Sequence, residues 1–214
     1  MFWIALAAQL SAPVPAGVRL PDVRALFSPD DFPAYLQMEG VSRTVHTRTT
    51  VRPDGSIESC VTEESSGDAR LDAYTCGLIV KRATFQPAKW IDGTPVYGVI
   101  RAPVSWRISD GTPTETEMLK SAEPDIDLAV NQLPKGAGSI AVFDVEIGAY
   151  ANGRGAICAE HPADAMRSKK HFPELVAIAC QKVMTDYPVV PPVDLSGKPV
   201  RSVQTVSVRF MKSH

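Results

Sequence analysis

The 214 residues are 44% hydrophobic and 21% charged, which is enough apolar material for a packed core and excludes a disordered chain. Twenty-two Lys and Arg stand against 24 Asp and Glu, a net charge of -2 without the basic footprint of a nucleic-acid binder. Beyond the first residues no apolar run approaches the roughly 20 residues of a spanning helix, so membrane contact is expected only through the amino terminus or a partner.

The chain opens on MFWIALAAQLSAPVPAG, apolar over 2–8 and then broken by Gln9, Ser11, Pro13 and Pro15. This reads as the hydrophobic region of an export signal over 1–16, cleaved after Ala12 or Ala16; left uncleaved, it would attach the chain to the inner membrane. Asp30 or Asp31 then caps a short helix with Pro33 in its first turn and Phe32, Tyr35 and Leu36 on its apolar side. Residues 41–51 alternate, Pro53-Asp54-Gly55 turns the chain, and 56–62 run back as a hairpin. Ser65 and Ser66 are placed to cap a helix over 69–82, whose Leu71, Thr75, Leu78 and Ile79 share a face and whose Lys81 and Arg82 suit the dipole. A turn at Asp92-Gly93 leads into a long last strand over 96–108, and Trp90, Tyr97 and Trp106 read as core or interface.

Residues 109–134 carry six acids and one Lys and read as a solvated linker. It encloses a helix over 126–133, with Ile126, Ala129, Val130 and Leu133 on one face. Strands over 139–150 and up to His161 follow around an Asn152-Gly153 turn, then a helix over 173–185 and a final strand over 200–211.

The two halves correspond. Gly40, Gly55 and Cys60 recur 98 residues on (138 minus 40) as Gly138, Gly153 and Cys158. After a six-residue insertion the offset becomes 104 (180 minus 76) and relates Leu71 to Leu175, Cys76 to Cys180, Pro87 to Pro191, Gly93 to Gly197, Pro95 to Pro199 and Trp106 to Phe210. Two such runs point to a tandem duplication of a unit of about 90 residues. The expected fold class is α+β: two small units in tandem, each helix-strand-strand-helix-strand with an antiparallel three-stranded sheet and two helices on one face. Unit one spans 26–108, the acidic linker 109–134 holds the first helix of unit two, and unit two covers 135–214.

Each unit holds two cysteines, one on its second strand and one on its second helix. In an exported chain these positions point to disulfides Cys60–Cys76 and Cys158–Cys180. Strict alternation puts Ile57 and Cys60 on opposite faces, so a bulge between them is required for both to meet the helix.

Asp54-Gly55-x-Ile57, Glu64-Ser65-Ser66-Gly67, Leu71-Asp72, Phe85-x-Pro87-Ala88, Gly93-x-Pro95-Val96 and a Val-rich closing strand resemble the carboxy-terminal domain of the TonB energy transducers. The second unit resembles it less, keeping Pro191, Gly197 and Pro199 but replacing the Ser-Ser-Gly region by Cys158-Ala159-Glu160-His161-Pro162. The resemblance implies a periplasmic domain that meets an outer-membrane transporter by pairing a partner strand with the edge of its last strand. With no Pro-rich spacer before Phe32, it implies the peptide-binding architecture rather than force transmission.

The expected function is therefore non-enzymatic. The protein binds an envelope partner or peptide strand by β-augmentation, in the setting of TonB-linked transport, or pairs with itself. The residues expected to bind lie on the last-strand edges: Val96, Tyr97, Val99 and Arg101 in unit one, and Val203, Gln204, Thr205 and Val206 in unit two. The two copies could satisfy each other by pairing their last strands into one continuous sheet, or hold the edges open for a partner; of the two, the second edge is the better template, because Pro103 interrupts the first. No cofactor or metal is expected, since CxxC, HExxH, GxSxG and phosphate-binding glycine motifs are missing from the sequence. The alternative is a periplasmic hydrolase or cell-wall enzyme whose site forms from the 160–172 insertion with His161 and His171.

Overall fold

The structure, a computed structural model, describes residues 15–18, 26–109, 112–113, 117–118, 124–137, 140–161 and 172–213. The first half starts with a 3-10 turn, Pro29–Asp31, in which the Asp31 carboxylate accepts from the Ser28 N–H at 2.7 Å and from its hydroxyl at 2.9 Å. The same carboxylate receives both arms of Arg82, at 2.5 and 2.8 Å, from the far end of a long helix. Helix α1 (Ala34–Glu39) follows Pro33 and ends on Gly40, the left-handed residue that terminates many helices.

Strands β1 (Arg43–Val51) and β2 (Ile57–Glu64) form the expected hairpin. Its turn requires glycine twice over: Gly55 has φ +86, and a Cβ there would lie 2.4 Å from the Phe85 carbonyl oxygen. The register moves from Thr50 opposite Ser59 to Val51 opposite Ile57, so Glu58 is the bulged residue. That bulge lets Ile57 and Cys60 both pack toward helix α2 (Ala69–Arg82). The cap of α2 is Asp68, which accepts from the Arg70 N–H at 2.9 Å, and not Ser65 or Ser66. Those two serines instead hold Asp72, by the Ser65 hydroxyl at 2.5 Å and the Ser66 N–H at 2.9 Å. A carboxylate reaching back from the first turn satisfies donors that the serines would have left to water.

The short β3 (Ala88–Lys89) lies against the start of the long β4 (Pro95–Trp106). The linker region contributes a two-residue pair, β5 (Ile108–Ser109) with β6 (Thr112–Pro113), and β7 (Glu117–Met118), which pairs with β4. Residues Ile126–Val130 form a strand, β8, where a helix was expected. Ile126, Leu128 and Val130 are half-buried while Asp127 and Ala129 are exposed, a period of two, and the strand runs parallel to the end of the chain. Both periods fit these residues, and a free strand edge beside them settles the choice. Then come β9 (Ile140–Ala149), β10 (Gly155–Glu160), helix α3 (Pro173–Asp186) and β11 (Ser202–Lys212). Gly153 repeats the arrangement of Gly55: φ is +79, and a Cβ would lie 2.7 Å from the Val189 carbonyl oxygen.

The expected pair of separate three-stranded sheets is replaced by one mixed sheet in the order β10-β9-β11-β4-β1-β2, with β3, β7 and β8 attached beside this path. β4 and β11 meet in parallel through three residue pairs: Tyr97 with Ser202, Gly98 with Val203 and Val99 with Gln204. Residues in register point to the same face, so Val203 joins the face of Val96, Val104 and Trp106, and Gln204 joins that of Val206, Val208 and Phe210. Trp106 and Val104 pack with Leu71, Leu78 and Ile79 of α2, whereas Phe210, Val208 and Val206 pack with Leu175, Ala179 and Val183 of α3. The two long helices therefore cover opposite faces of the sheet. A third, smaller core of Val18, Val51, Phe85, Ala88, Trp90, Val96 and Val203 sits at the joint. Trp90 crosses from one half to the other, its ring atoms 3.0 Å from where a Cβ of Gly148 would stand.

Candidate functional site

Mutual pairing, one of the two outcomes the sequence left for the last-strand edges, closes them. Val96 lies beside Ala88, Tyr97 and Val99 beside β11, and Val203 and Gln204 between β9 and β4. The physical reason is proximity: two complementary rows of N–H and C=O groups on one chain meet at high effective concentration and satisfy each other. Gln204 also locks the joint with its side chain, donating to the Val190 carbonyl at 2.9 Å and to the Ser202 hydroxyl at 3.1 Å. Val206 is wholly buried under α3, and Thr205 lies opposite Glu146 on β9.

Beyond Val99 and Gln204 the strands part into a fork, with β7 along one prong and β8 along the other. Pro103, which has no N–H to offer, falls in the stretch of β4 between the β11 and β7 pairings. Asp125 plugs the fork: its N–H donates to the Ser207 carbonyl at 2.8 Å, and its carboxylate accepts the Ser207 N–H at 2.7 Å and the Tyr187 hydroxyl at 3.3 Å. Arg101 reaches into the adjoining cavity of about 140 Å³, its Nε 3.2 and 3.1 Å from the two oxygens of Glu63, which Arg48 approaches from the other side at 2.9 Å. Burial opposes the charge on Arg101, but Tyr187, Glu63 and Asp125 outweigh it and hold its pKa above the ordinary value. With Glu63, Glu64 and Asp125 around the half-buried Arg101, the fork reads as a structural plug.

The outer strands are β2 and β10, and among the described residues no strand pairs with the far side of either. β2 is guarded by Glu58, Glu63 and Glu64 and by irregular register at both ends. β10 reads Gly155-Ala156-Ile157-Cys158-Ala159 and carries no charge before Glu160. Each outer strand is stapled to its helix, β2 to α2 by Cys60–Cys76 and β10 to α3 by Cys158–Cys180, the two pairings that the sequence indicated. Next to β10, His161 Nε2 stands 3.5 Å from Oε1 of the wholly buried Glu146. His171 and most of the 160–172 insertion lie outside the described residues.

At the end of the sheet where β4 and β11 begin, an open groove of about 740 Å³ runs across the joint. One wall is Pro53, Pro95 and Tyr97; the other is Tyr150, Asn152 and the loop Asp194 to Arg201. Burial, with Glu58 and Asp194 nearby, pushes the Tyr97 phenol up and keeps it a hydrogen-bond donor. Sequence reading found Tyr97 but missed Tyr150, Asn152, Lys198 and Arg201. The repeat offset was the available signal, since it places the loop before β11 in the position of the loop before β4.

Residues 28–108 match the family model of the Gram-negative bacterial TonB protein C-terminal. The match takes in α1 to β4 and stops before β9, β10, α3 and β11. No curated protein and no solved structure matches the chain. A TonB-like module points to protein interaction in the cell envelope, and this family is not one of enzymes. Among the described residues no helix is long and apolar enough to cross a membrane, and no group of three or more His, Cys, Asp and Glu could hold a metal ion.

Proposed function

We propose that the protein is a periplasmic interaction module made of two TonB-like units, the second divergent, which binds an envelope partner by strand addition. Support for the second unit comes from the equivalent turns, with Gly55 against the Phe85 carbonyl and Gly153 against the Val189 carbonyl, and from disulfides that join the same two elements in each half. The observation that carries the binding mode is the uncharged outer edge of β10, since the last-strand edges are consumed at the joint. An outer-membrane transporter is the partner the family suggests, with TonB-linked transport as the setting; the N-terminal segment would export the chain or hold it at the inner membrane.

The test is a photo-crosslinking residue placed at position 159 on β10 and, as a control, at Val61 on β2. One discrete adduct from position 159 is expected, and a segment of the partner so identified should slow amide exchange along β10. Adducts from Val61 alone, or from neither site, would refute the assignment. The contact between His161 and Glu146 favours a second reading, a hydrolase completed by the 160–172 insertion. Glu146→Gln would then abolish hydrolysis of cell-wall peptide by the purified protein, and the absence of any hydrolysis by the unmutated protein would dispose of that reading.

A further inference from the structure

The groove across the joint differs from the strand edges in what it offers a ligand. Backbone groups of β4 and β11 beneath it are already paired with each other, so a partner cannot extend the sheet there. What remains is side-chain surface: the rings of Tyr97 and Tyr150 and the faces of Pro53, Pro95 and Pro199. Trp90 backs this surface, 5.8 Å from Tyr150 between ring centroids.

The polar groups are almost all donors. Asn152 uses its Oδ1 on the Arg154 N–H, which leaves its amide N–H groups for a ligand. Asp194, the one acid in the lining, turns its Oδ1 into its own turn, where it accepts from the Ser196 N–H, the Ser196 hydroxyl and the Lys198 N–H at 2.9, 2.6 and 3.1 Å. Arg201 lies over Trp90 and donates to the Thr94 hydroxyl at 3.1 Å, while Lys198 is an exposed residue of the lining.

Such a surface complements a ligand rich in acceptors, with flat apolar faces and no need of a ladder partner. A polyproline II segment has that chemistry: its carbonyls are unpaired, its rings stack on aromatic side chains, and its conformation is already fixed. The volume suits a short stretch of such a peptide, within the range of about 300 to 1,000 Å³ typical of binding clefts. We propose that this groove docks an extended, proline-rich segment of a partner protein, with an acidic side chain meeting Lys198. The groove needs both halves of the chain, and it is separate from the edge of β10.

A ten-residue polyproline peptide with one central glutamate is the probe, titrated into the full-length oxidised protein. Trp90 fluorescence and backbone amide shifts are the readouts. Saturable binding is expected, with shifts centred on Tyr97, Tyr150, Asn152 and Val200. Tyr150→Ala and Tyr97→Ala should each raise Kd about tenfold, and Lys198→Ala should erase the preference for the glutamate peptide over its glutamine analogue.

No saturation at millimolar peptide, or equal binding of an alternating Thr-Val peptide of the same length, would overturn the proposal. So would dimerisation of the free protein that the peptide dissolves, which assigns the groove to a second copy. Binding seen only after residues 1–14 are removed would assign the groove to the chain's own N-terminal segment with Pro13, and also overturns the proposal. Crosslinking at position 159 is read independently, so the failure of one site leaves the other standing.

Discussion

Asp31→Asn should destabilise the first half at neutral pH and cease to matter in acid. The two arms of Arg82 hold the Asp31 carboxyl at about 2 instead of its ordinary 3.8, against the burial that would raise it and with help from the Ser28 N–H and hydroxyl. A folded pKa below the unfolded one gives stability that is complete above 3.8 and is lost as pH falls through about 2. Taken whole, that difference is worth about 2.4 kcal/mol. Arg82 is 35% exposed, and solvent screening reduces the expectation to about 1–2 kcal/mol.

The assay is urea unfolding of the oxidised protein from pH 7 to pH 2, followed by the fluorescence of Trp106, which shares a core with Phe27 and Phe32 on either side of the 3-10 turn. Other carboxylates titrate alike in both proteins and cancel in the difference. That difference should be constant down to about pH 4 and close between pH 4 and 2. A penalty that stays the same down to pH 2 would show that the loss arises from packing and not from the charge.

Mass mapping of the exported protein should show Cys60 joined to Cys76 and Cys158 to Cys180, and replacing either pair by serine should cost about 3 kcal/mol for closed loops of 16 and 22 residues. Gly55→Ala and Gly153→Ala should lower Tm more than Gly93→Ala and Gly197→Ala: all four have positive φ, but only the first two would place a methyl against a carbonyl oxygen. Equal effects in a thermal melt would show that backbone strain alone decides. Gln204→Leu should cost about 0.5–1.5 kcal/mol, because it removes the hydrogen bonds to the Val190 carbonyl and the Ser202 hydroxyl, and a neutral result would remove Gln204 from the lock. Residues 1–30 fused to a reporter active only outside the cytoplasm should give activity, and a silent fusion would count against export.

Much of each half could be read locally. Helix α2 was legible to the residue because Leu71, Leu78 and Ile79 hold one face and Ala83 leaves the helical conformation. The bulge at Glu58 followed from requiring Ile57 and Cys60 to meet the same helix. Where two periods fit, as at Ile126, Leu128 and Val130, the deciding influence was a neighbouring strand more than 80 residues away in sequence, as the partners Arg209 and Asp127 show (209 minus 127). That β4 and β11 could pair with each other was one of two outcomes the sequence left open, and the choice between them was illegible for the same kind of reason. Alternation in β4 and β11 marks them as strands but does not say which edges will meet or in which direction. The groove collects side chains from several loops whose spacing follows only from that meeting.

The way the sheet is held has a consequence for its motion. Sheets ordinarily fray from their margins, where strands have one neighbour. Here each marginal strand is covalently tied to a helix, so β2 cannot peel without drawing α2 with it, nor β10 without α3. The seam in the middle is held by three residue pairs and a small core. Opening should therefore start at the centre, the two halves parting as nearly rigid bodies along β4 and β11. In native-state hydrogen exchange the amides that donate across the seam between Tyr97–Val99 and Ser202–Gln204 would then exchange together, through one sub-global opening, ahead of those in the core of either half.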